Sequence, residues 1–356
     1  MATAPASLIA RRADFHRALH RWYRTHQRAL PWRTAPSLYS TVVSEFMLQQ
    51  TQVVTMLPYF HRWLAELPDF GALAAASESH VVKLWEGLGY YARARNLHKL
   101  AQAFVARPAE PRTPQEWREL PGIGPYTAAA VTSIAFGHPA ACVDGNVVRI
   151  LARLTGDARV FGDGSAAAKH FTPLADALII ESEPGLHNQA MMELGATVCA
   201  RTKPLCLTCP VAEFCVARHR GDPEALPKLA PKKIEQRAVA RVWCEHAGKL
   251  LLRRGAAGAR RLAGLHELPE PTDVGRDVQA EDLLATERRT ITRYQITERI
   301  YRVQTNAALR RRVEQSAALV WVDATELASL TLSGPHRRWI RQLQTGATPP
   351  PKSRRP

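Results

Sequence analysis

The chain has 356 residues, with 48 Lys and Arg against 32 Asp and Glu, which gives a formal net charge of +16. This length favours two domains, and a content of 46% hydrophobic residues excludes a disordered or low-complexity protein. No run of about 18 apolar residues occurs, so a membrane-spanning helix is excluded. The first residues lack the apolar stretch of a secretory signal, and we expect no such signal. The excess positive charge points to a polyanionic partner, most often nucleic acid.

Apolar residues repeat with helical periodicity through the first 230 residues. The pattern predicts helices over residues 39–67, 78–106, 125–135 and 147–154, with Pro and Gly between them. The first stretch carries Glu45 in apolar surroundings. On a helix over residues 39–56, Gln49 and Gln52 follow at i+4 and i+7 and share a face with Glu45. A buried Glu45 would have a raised pKa, which suits a proton donor; on a wet face it would be an ordinary surface residue.

A tight turn over residues 120–128 leads into a helix rich in Ala and Val. Its glycines, Gly122 and Gly124, allow backbone N–H groups to converge on an anion at the N-terminus of that helix. Many helix-entry turns contain such glycines, so the pattern is weak by itself. In a basic, mainly helical chain it indicates a helix-hairpin-helix that grips a DNA phosphate.

A second carboxylate, Asp144, stands at the predicted start of a helix, in the segment VDGNV. The position is typical of an N-cap, whose carboxylate accepts hydrogen bonds from backbone N–H groups. Such bonds favour the ionised form, which suits the stabilisation of a nearby cation. Nothing in the spacing alone connects Asp144 with Glu45.

The six cysteines are too few for a disulfide scaffold. Four of them have the spacing C-x6-C-x2-C-x5-C: Cys199, Cys206, Cys209 and Cys215. Four thiolates in one loop can wrap a 4Fe-4S cluster or a tetrahedral zinc; the alternative is four ordinary small apolar residues. The wide first gap suits the larger cluster, because zinc sites usually have two short knuckles and only one is present. Arg201 and Lys203 lie in that gap as predicted phosphate contacts.

The pattern changes after residue 218. Residues 219–236 contain Pro and Lys and form a predicted linker. Strands are predicted over residues 239–244, 250–252, 291–296, 298–304 and 318–322, with a turn at residues 246–249. Residues 346–356 are a predicted disordered basic tail. The net charge is +5 over residues 1–230 and +11 over residues 231–356, so most of the excess lies in the C-terminal part.

Several segments resemble the adenine DNA glycosylase (MutY) family, from near Leu30 to about Leu343. They are LPWR (residues 30–33), SEFMLQQTQV (44–53), GLGYYARARN (87–96), residues 120–128, VDGNV (143–147), NQAMMELG (188–195) and the four cysteines. This family removes adenine mispaired with 8-oxoguanine and so starts base-excision repair. The resemblance implies a mainly α helix-hairpin-helix glycosylase domain with an iron–sulfur cluster loop, followed by a C-terminal α+β Nudix-like domain.

The resemblance also divides the chain. The glycosylase domain would span residues 1–218, with a six-helix region over about 37–142 and a cluster region formed by 1–36 and 143–218. The linker 219–236 would lead to a Nudix-like domain over residues 237–345, which recognises the damaged base, and then to the tail 346–356.

For the chemistry, the resemblance implies that Glu45 is the general acid that protonates the adenine ring and later helps to handle water. Asp144 would stabilise or covalently capture the oxocarbenium-like sugar, as paired carboxylates do in glycoside hydrolysis. Tyr126 and Asn146 would assist Asp144. The four cysteines would hold a 4Fe-4S cluster.

For DNA binding, the resemblance implies that Gln50 and Tyr90 wedge into the helix while the adenine flips out. Flipping is required because the reactive bond is inaccessible in the stack. Further DNA contacts are predicted for Gln49, Arg93, Gly122 and Gly124. The predicted adenine pocket consists of Trp32, Arg33 and Gln189.

The C-terminal region would read 8-oxoguanine, an interpretation supported by the segment LAGL at residues 262–265 and by the strand–turn–strand before it. The R-E-x-x-E-E cluster of Nudix hydrolases is absent, so recognition is expected and pyrophosphate hydrolysis is not. Two departures stand out: His266 replaces an aromatic residue, and the family's Phe-Ser-His loop corresponds to residues 291–293, ITR. The residues predicted to recognise 8-oxoguanine are Gly264, Thr292 and Arg293.

Two positions separate this family from the endonuclease III-like glycosylases. Those relatives carry a Schiff-base Lys where this chain has Tyr126, and they lack a Glu that matches Glu45. We therefore predict a monofunctional glycosylase. The alternatives are an endonuclease III-like glycosylase with AP-lyase activity and a catalytically silent mismatch-DNA-binding protein.

The predicted partner is double-stranded DNA with adenine opposite 8-oxoguanine or G. We expect a monomer that binds no membrane and lies in the bacterial cytoplasm, at the nucleoid. The sequence identifies no protein partner from the repair pathway.

Overall fold

The structure is a computed structural model that describes residues 4–231, 233–256, 263–291 and 293–345. Contacts divide the chain into two compact units, Met1–Ala75 with Asn96–Pro231, and Ala76–Arg95 with Lys232–Pro356. Residues 76–95 therefore belong to the same unit as the C-terminal region. The predicted domain boundaries stay a prediction. Leu262, Thr292 and the predicted tail lie outside the described residues.

Helices form most of the chain up to the cysteine loop. In chain order they are α1 (Ala4–Ala10), α2 (Arg12–His26), α3 (Pro31–Thr34), α4 (Leu38–Leu48), α5 (Val53–Glu66), α6 (Phe70–Ala75), α7 (Glu78–Leu84), α8 (Ala92–Val105), α9 (Pro114–Arg118), α10 (Pro125–Phe136), α11 (Gly145–Thr155), α12 (Gly164–Leu178), α13 (Pro184–Thr197) and α14 (Val216–Arg220). Two short strands, β1 (Val160–Phe161) and β2 (Lys228–Leu229), pair in parallel.

Two helices that are buried along most of their length lie in the interior of the first unit. α4 begins at a capping box formed by Ser37 and Ser40, and all of its residues 39–47 are buried. In α10, residues 127–133 are buried, and this helix packs against α4, α9 and α13. A helix that is buried on most sides depends on the surrounding protein for its stability. Glu45 on α4 is therefore not on the outer surface of the protein.

Three histidines connect α2 with α13, the helix that forms one wall of the site described below. The ring centroids of His16 and His187 lie 5.2 Å apart, and those of His20 and His187 lie 5.8 Å apart. Burial lowers the pKa of all three imidazoles, that of His20 to about 4 and that of His187 to about 3. All three rings are therefore neutral at pH 7.

We expect acid to destabilise the protein through these histidines. Their pKa values are lower in the folded than in the unfolded chain, so the unfolded chain takes up more protons as the pH falls below 6.5. The contribution is fully present above pH 6.5 and is lost towards pH 4. Thermal unfolding midpoints between these pH values measure the effect. A His20→Gln/His187→Gln variant should have a flatter pH dependence, and an equally steep one would contradict this account.

The second unit combines α7, the turn after it and the start of α8 with an α+β region. Its further elements are β3 (Glu235–Trp243), β4 (Glu245–His246), β5 (Lys249–Arg254), β6 (His266–Glu267), α15 (Pro271–Val274), β7 (Leu283–Ile291), β8 (Tyr294–Arg302), α16 (Ala307–Glu314), β9 (Leu319–Val322), α17 (Ala324–Ser329) and α18 (Gly334–Thr345). In one sheet, β8 pairs in parallel with β3 and antiparallel with β7. In the other, β5 pairs antiparallel with β4, β6 and β9.

The predicted fold class is confirmed in that a mainly α region precedes an α+β region. Helices α10 and α11 match two predicted helices, and the predicted β4–β5 turn occurs where Ala247 and Gly248 have φ of 49° and 75°. None of the helices among the described residues combines the length and the apolar character that a membrane span requires.

Three predicted elements are wrong, each at a chain reversal. The helix predicted over residues 39–67 ends at Leu48 and a new helix starts at Val53, because Gln50 adopts a left-handed φ of 59°. Gln49 and Gln52 thus do not share a helix face with Glu45. The helix predicted over 78–106 is interrupted at residues 85–91, and the strand predicted over 291–296 is divided between β7 and β8.

Candidate active site

A cavity of about 1090 Å³ lies in the first unit, among residues from α3, α4, α10, α11 and α13. Residues that are far apart in sequence meet on its walls. Those predicted from the sequence are Trp32, Arg33, Glu45, Gln49, Gln50, Gly122, Gly124, Tyr126, Asp144, Asn146 and Gln189. The two candidate carboxylates, which spacing could not connect, thus face one space.

Glu45 is a buried carboxyl on the cavity wall, with 7% of its surface exposed. Burial raises its pKa to about 7, a hydrogen bond with Tyr126 opposes the shift, and the charge of Asp144 adds to it. The interpretation of Glu45 as an ordinary surface residue is therefore wrong. Near neutral pH this carboxyl can both hold and release a proton.

Asp144 is the N-cap of α11. Its Oδ1 accepts hydrogen bonds from the backbone N–H groups of Asn146 at 2.9 Å and Val147 at 2.8 Å, and its Oδ2 accepts one from Nδ2 of Asn146 at 3.0 Å. Burial raises the pKa of Asp144, and these hydrogen bonds oppose the shift. Asp144 therefore has a fixed orientation, and its hydrogen bonds offset part of the cost that burial imposes on the anion.

Tyr126 lies in the first turn of α10 and lines the cavity together with the two carboxylates. Its hydroxyl hydrogen-bonds with Glu45 and lies 3.2 Å from Sδ of Met192. Burial, followed by the charges of Glu45 and Asp144, raises its pKa well above the usual value. The phenol is consequently neutral and donates its proton within the cavity.

The turn before α10 has the geometry of a helix hairpin, between α9 and α10. Gly122 has a φ of 79°, and a Cβ there would lie 2.7 Å from Cβ of Asn96, so a larger residue does not fit. Gly124 is the N-cap of α10, and a Cβ added there would have no atom within 4 Å. The binding of an anion at the start of α10 stays a prediction.

The cavity wall also contains Glu193, a charged residue that was not predicted from the sequence. Glu193 is fully buried and accepts hydrogen bonds from Nε of Arg28 at 2.7 Å and from Arg33 at 2.9 Å. Its pKa lies below the usual value, because these hydrogen bonds and charges outweigh the burial that would raise it. The carboxylate of Glu193 therefore orients two guanidinium groups beside the cavity.

Asn146 connects Asp144 to a second hydrogen-bonded group. Its Oδ1 accepts from Arg149 at 2.8 Å, and Arg149 also donates to the carbonyl oxygens of Gly195 at 2.9 Å and Cys199 at 2.8 Å. A Cβ on Gly195 would lie 2.5 Å from Cβ of Asn146. The absence of a side chain at Gly195 thus allows α13 to approach α11 at this point.

All four clustered cysteines are free thiols. Burial, and then the charges of Cys199, Cys215 and Cys206, raise the pKa of Cys209 to about 12, so the four groups lie within electrostatic range of one another. A guanidinium N–H of Arg153 donates to Sγ of Cys199 at 3.2 Å. Among the described residues, no group of three or more His, Cys, Asp or Glu side chains is placed so that it could hold a metal ion. The binding of a cluster by the four cysteines stays a prediction.

Comparisons with known proteins agree with this geometry. Residues 43–162 match the family of HhH-GPD superfamily base excision DNA repair proteins. The adenine DNA glycosylase of Rattus norvegicus is 42% identical over 244 residues, which cover 63% of this chain and 46% of that protein. The adenine DNA glycosylase of Mycobacterium tuberculosis (strain CDC 1551 / Oshkosh) is 38% identical over 206 residues, 57% of this chain and 67% of that protein. The chain belongs to the adenine DNA glycosylase family.

The fold of the helical region is also that of a solved relative. The structure of a thermostable thymine-DNA glycosylase superposes with a TM-score of 0.53 at 27% identity, over 59% of this chain and 98% of that one. By contrast, the match to the rat protein spans less than half of its length. The chain thus spans about half the length of the first mammalian adenine DNA glycosylases that it matches.

Gln50 and Tyr90, the family residues predicted to wedge into DNA, share an unusual backbone conformation. Their φ angles are 59° and 49°, in the left-handed region that side chains rarely adopt. Gln50 is exposed in the first unit, and Tyr90 is 45% exposed in the second. Backbone strain of this kind is concentrated at functional sites. Their roles in DNA binding stay predictions.

Arg93 lies inside the turn that carries Tyr90 and is largely buried. Its guanidinium donates to the carbonyl oxygens of Leu88 and Gly89, both at 3.2 Å, and lies over the rings of Trp85 and Tyr90. This placement is typical of a residue that supports a turn. A direct contact of Arg93 with DNA stays a prediction.

The residues predicted to read the base opposite the adenine lie in the second unit. Arg293 forms a salt bridge with Glu235 at 2.9 Å and stacks on Tyr294, at the turn between β7 and β8. Gly264 has a φ of 67°, and its N–H donates to the carbonyl of Gly255 at 2.9 Å. Their recognition of 8-oxoguanine stays a prediction, and Thr292 lies outside the described residues.

Sequence reasoning missed the residues that hold the site together from a distance. Glu193 and Gly195 lie in the segment NQAMMELG, which the resemblance singled out, but only Gln189 was selected from it. Asn188 of the same segment is buried and accepts from the backbone N–H of Cys142 at 2.9 Å. The clustering of polar residues and a glycine in a mainly apolar segment is the signal by which they could have been found.

Proposed function

We propose that this protein is an adenine DNA glycosylase that releases adenine mispaired with 8-oxoguanine or G by hydrolysis of the N-glycosidic bond. The proposal depends on one observation: a buried carboxyl, Glu45, whose pKa is raised to about 7, faces Asp144 in one cavity. Two carboxyl groups in different environments can act as the acid and as the stabilising anion. Membership of the adenine DNA glycosylase family supports adenine as the substrate.

In this mechanism Glu45 protonates the adenine ring and so improves it as a leaving group. A pKa of about 7 means that a large fraction of the carboxyls carries a proton at neutral pH. As the bond to the sugar breaks, positive charge develops on the sugar. Asp144, held by the N–H groups of Asn146 and Val147, stabilises that charge or captures the sugar carbon until water replaces it.

Tyr126 restricts the reaction to hydrolysis. Its hydroxyl bonds to Glu45 and offers no amine that could form a Schiff base with the sugar. A strand-cleaving lyase reaction through such an intermediate is therefore unavailable at this position. Treatment with borohydride should trap no covalent adduct with substrate DNA.

DNA would be held by three groups of residues. The turn at Gly122 and Gly124 binds a phosphate at the start of α10. Gln50 and Tyr90 fill the space that the flipped adenine leaves in the stack. The C-terminal region, with Arg293 at the turn between β7 and β8, reads the base opposite the adenine.

The four cysteines are the proposed ligands of a 4Fe-4S cluster. Burial and mutual repulsion penalise four thiolates unless a cationic group binds them, and Arg153 supplies part of the compensating charge. The cluster would fix the loop that provides the carbonyl of Cys199 to Arg149. The purified protein should be coloured and contain about four irons and four acid-labile sulfides. A colourless protein with one zinc would overturn the assignment.

A single-turnover assay tests the proposed activity. Duplexes with adenine opposite 8-oxoguanine, G or T are incubated with excess enzyme, and abasic sites are revealed by alkali. We expect release from the first two duplexes and little from the third. If no adenine is released from the 8-oxoguanine duplex, the proposed function is refuted. DNA binding without adenine release would favour a mismatch-binding protein.

Gly195→Ala should slow adenine release without abolishing folding. The added methyl would overlap Cβ of Asn146 at 2.5 Å, so Asn146 must move, and Asp144 with it. A displacement of this kind costs about 10- to 100-fold in rate. Gly164→Ala is the matched control, because a Cβ there meets nothing within 4 Å. Equal rates for both variants would show that the close approach at Gly195 does not position Asp144.

A further inference from the structure

The turn that presents Tyr90, residues 86–91, is held at both ends by one residue of the C-terminal region. The backbone N–H of Leu332 donates to Oε1 of Glu86 at 3.1 Å, and the hydroxyl of Tyr91 donates to the carbonyl of Leu332 at 3.0 Å. Both contacts lie within the second unit. The two backbone polar groups of Leu332 thus bind the two ends of the Tyr90 turn.

Glu86 is the centre of a charged cluster at the first of these ends. Arg337 of α18 binds its carboxylate with two N–H groups, at 2.6 Å and 3.1 Å, and Lys83 donates to it at 2.7 Å. Only 12% of the Glu86 side chain is exposed. Lys83 also donates to the carbonyl oxygens of Ala328 and Leu330, at 2.9 Å and 2.8 Å. Bidentate pairs of this type have a defined geometry and resist displacement.

Leu332 is itself firmly fixed in the C-terminal region. It is 1% exposed, it belongs to the hydrophobic core around Trp339, and it forms a β-bridge with His266. His266 follows closely on Gly264, one of the residues predicted to read 8-oxoguanine. One chain of contacts from that segment to the Tyr90 turn therefore runs through His266 and Leu332.

The turn has an unusual backbone that these contacts, together with those of Arg93, hold in place. Gly87, Gly89 and Tyr90 have φ angles of 107°, 71° and 49°, so three of four consecutive residues are in the left-handed region. No regular secondary structure spans residues 85–91. A backbone of this kind keeps one conformation only when surrounding groups determine it.

We propose that Glu86 and Tyr91 are positioning residues that couple the C-terminal region to the insertion of Tyr90, and thereby contribute to selectivity for adenine opposite 8-oxoguanine. The inference deepens the proposed function and rests on it. A shift of the C-terminal region on the base opposite the adenine moves Leu332, and the contacts of Leu332 transmit the shift to Tyr90. A correct opposite base then supports insertion of Tyr90, and an incorrect one does not.

Two variants test the coupling. Glu86→Gln weakens the binding of Arg337 and Lys83, and Tyr91→Phe removes the hydroxyl that donates to Leu332. The exposed Glu314 and the half-buried Tyr59 of α5 supply matched controls, Glu314→Gln and Tyr59→Phe. Single-turnover rates are measured on duplexes with adenine opposite 8-oxoguanine and opposite G, together with the fluorescence of a 2-aminopurine placed beside the opposite base, which reports unstacking.

For both variants we expect the rate on the 8-oxoguanine duplex to fall by about 5-fold or more, the lower limit of typical coupling between sites. The rate on the G duplex should change by less than about 2-fold, and the fluorescence increase on binding should be smaller. The controls should retain the wild-type ratio of the two rates. Should Glu86→Gln not fold, the milder Tyr91→Phe decides the question by itself.

The possible results distinguish a failure of the proposed coupling from a failure of the proposed function. If the wild-type protein releases adenine but the variants keep its rate ratio and its fluorescence change, the coupling is refuted and the proposed function remains. An equal loss of rate on both duplexes identifies a purely structural role and also refutes the coupling. If the wild-type protein releases adenine from neither duplex, the proposed function and the coupling fall together.

Discussion

Glu45→Gln is expected to reduce adenine release by about 1000-fold, within the usual range for the loss of a general acid. The amide has nearly the same shape as the carboxyl and still accepts a hydrogen bond from Tyr126, so the cavity should keep its form. What disappears is the proton that Glu45 can donate near neutral pH. Single-turnover rates on adenine opposite 8-oxoguanine measure the loss, and DNA affinity should change little.

The pH dependence of the wild-type rate provides a second measurement on the same group. A general acid acts in its protonated form, so the rate should be constant at low pH and should fall as the pH rises through about 7. Glu66→Gln, at the exposed end of α5, is the control and should keep both the rate and this profile. A wild-type rate that stays constant up to pH 9, roughly two units above the pKa of Glu45, would show that another group supplies the proton.

The same substitution should stabilise the folded protein at neutral and higher pH. The pKa of Glu45 is higher in the folded chain, about 7 against 4.5, so the folded state loses stability as the pH rises between these values. Removal of the ionisable group removes this penalty, which is of the order of 3 kcal/mol above pH 7. Thermal unfolding at pH 8 and at pH 4 tests the sign, because the stabilisation should be present only at the higher pH. The site would then be an example of stability lost in exchange for a reactive group.

The sequence alone predicts the local structure at Asp144 but not the burial of Glu45. The cap at Asp144 followed from local rules, because an Asp before a helix accepts hydrogen bonds from the next backbone N–H groups. The burial of Glu45 did not follow from α4 alone, since it depends on the packing of α10 against that helix. The meeting of the two carboxylates depends in turn on the tertiary arrangement of α4, α10 and α11. Only the resemblance to a family connected them before the fold was considered.

The wrong helix boundary at Gln50 and the missed ion pairs both arise where residue preference and periodicity carry no information. The turn at Gln50 breaks a continuous apolar pattern, and nothing in residue preference predicts a left-handed Gln. Glu193 and its partners Arg28 and Arg33 are separated by at least 160 residues, so periodicity carries no information about their contact. The same holds for Glu86 and Arg337, which are 251 residues apart. Local rules predicted α10, α11 and the cap at Asp144, whereas the long-range ion pairs required the structure.

Asp144→Asn is expected to reduce adenine release to a similar or greater extent, by about 1000-fold or more, while the fold remains intact. Asn is about as good an N-cap as Asp, so α11 should still begin at this residue and bind the N–H groups of Asn146 and Val147. The negative charge that stabilises the positively charged sugar is nevertheless lost. Because burial raises the pKa of Asp144, replacing it with a neutral residue should not lower the free energy of unfolding.

The cap at Asp163 provides the matched control, because its carboxylate accepts from the N–H of Ala166 at 2.8 Å at the start of α12, away from the cavity residues. Asp163→Asn should leave both the rate and the thermal unfolding midpoint close to those of the wild type. A loss of activity in Asp144→Asn without a loss of stability would assign the carboxylate to the chemistry. The opposite result is that both Asn variants lose stability to the same degree and Asp144→Asn keeps most of its rate per folded molecule. In that case Asp144 acts only as a helix cap, and another group in the cavity stabilises the sugar.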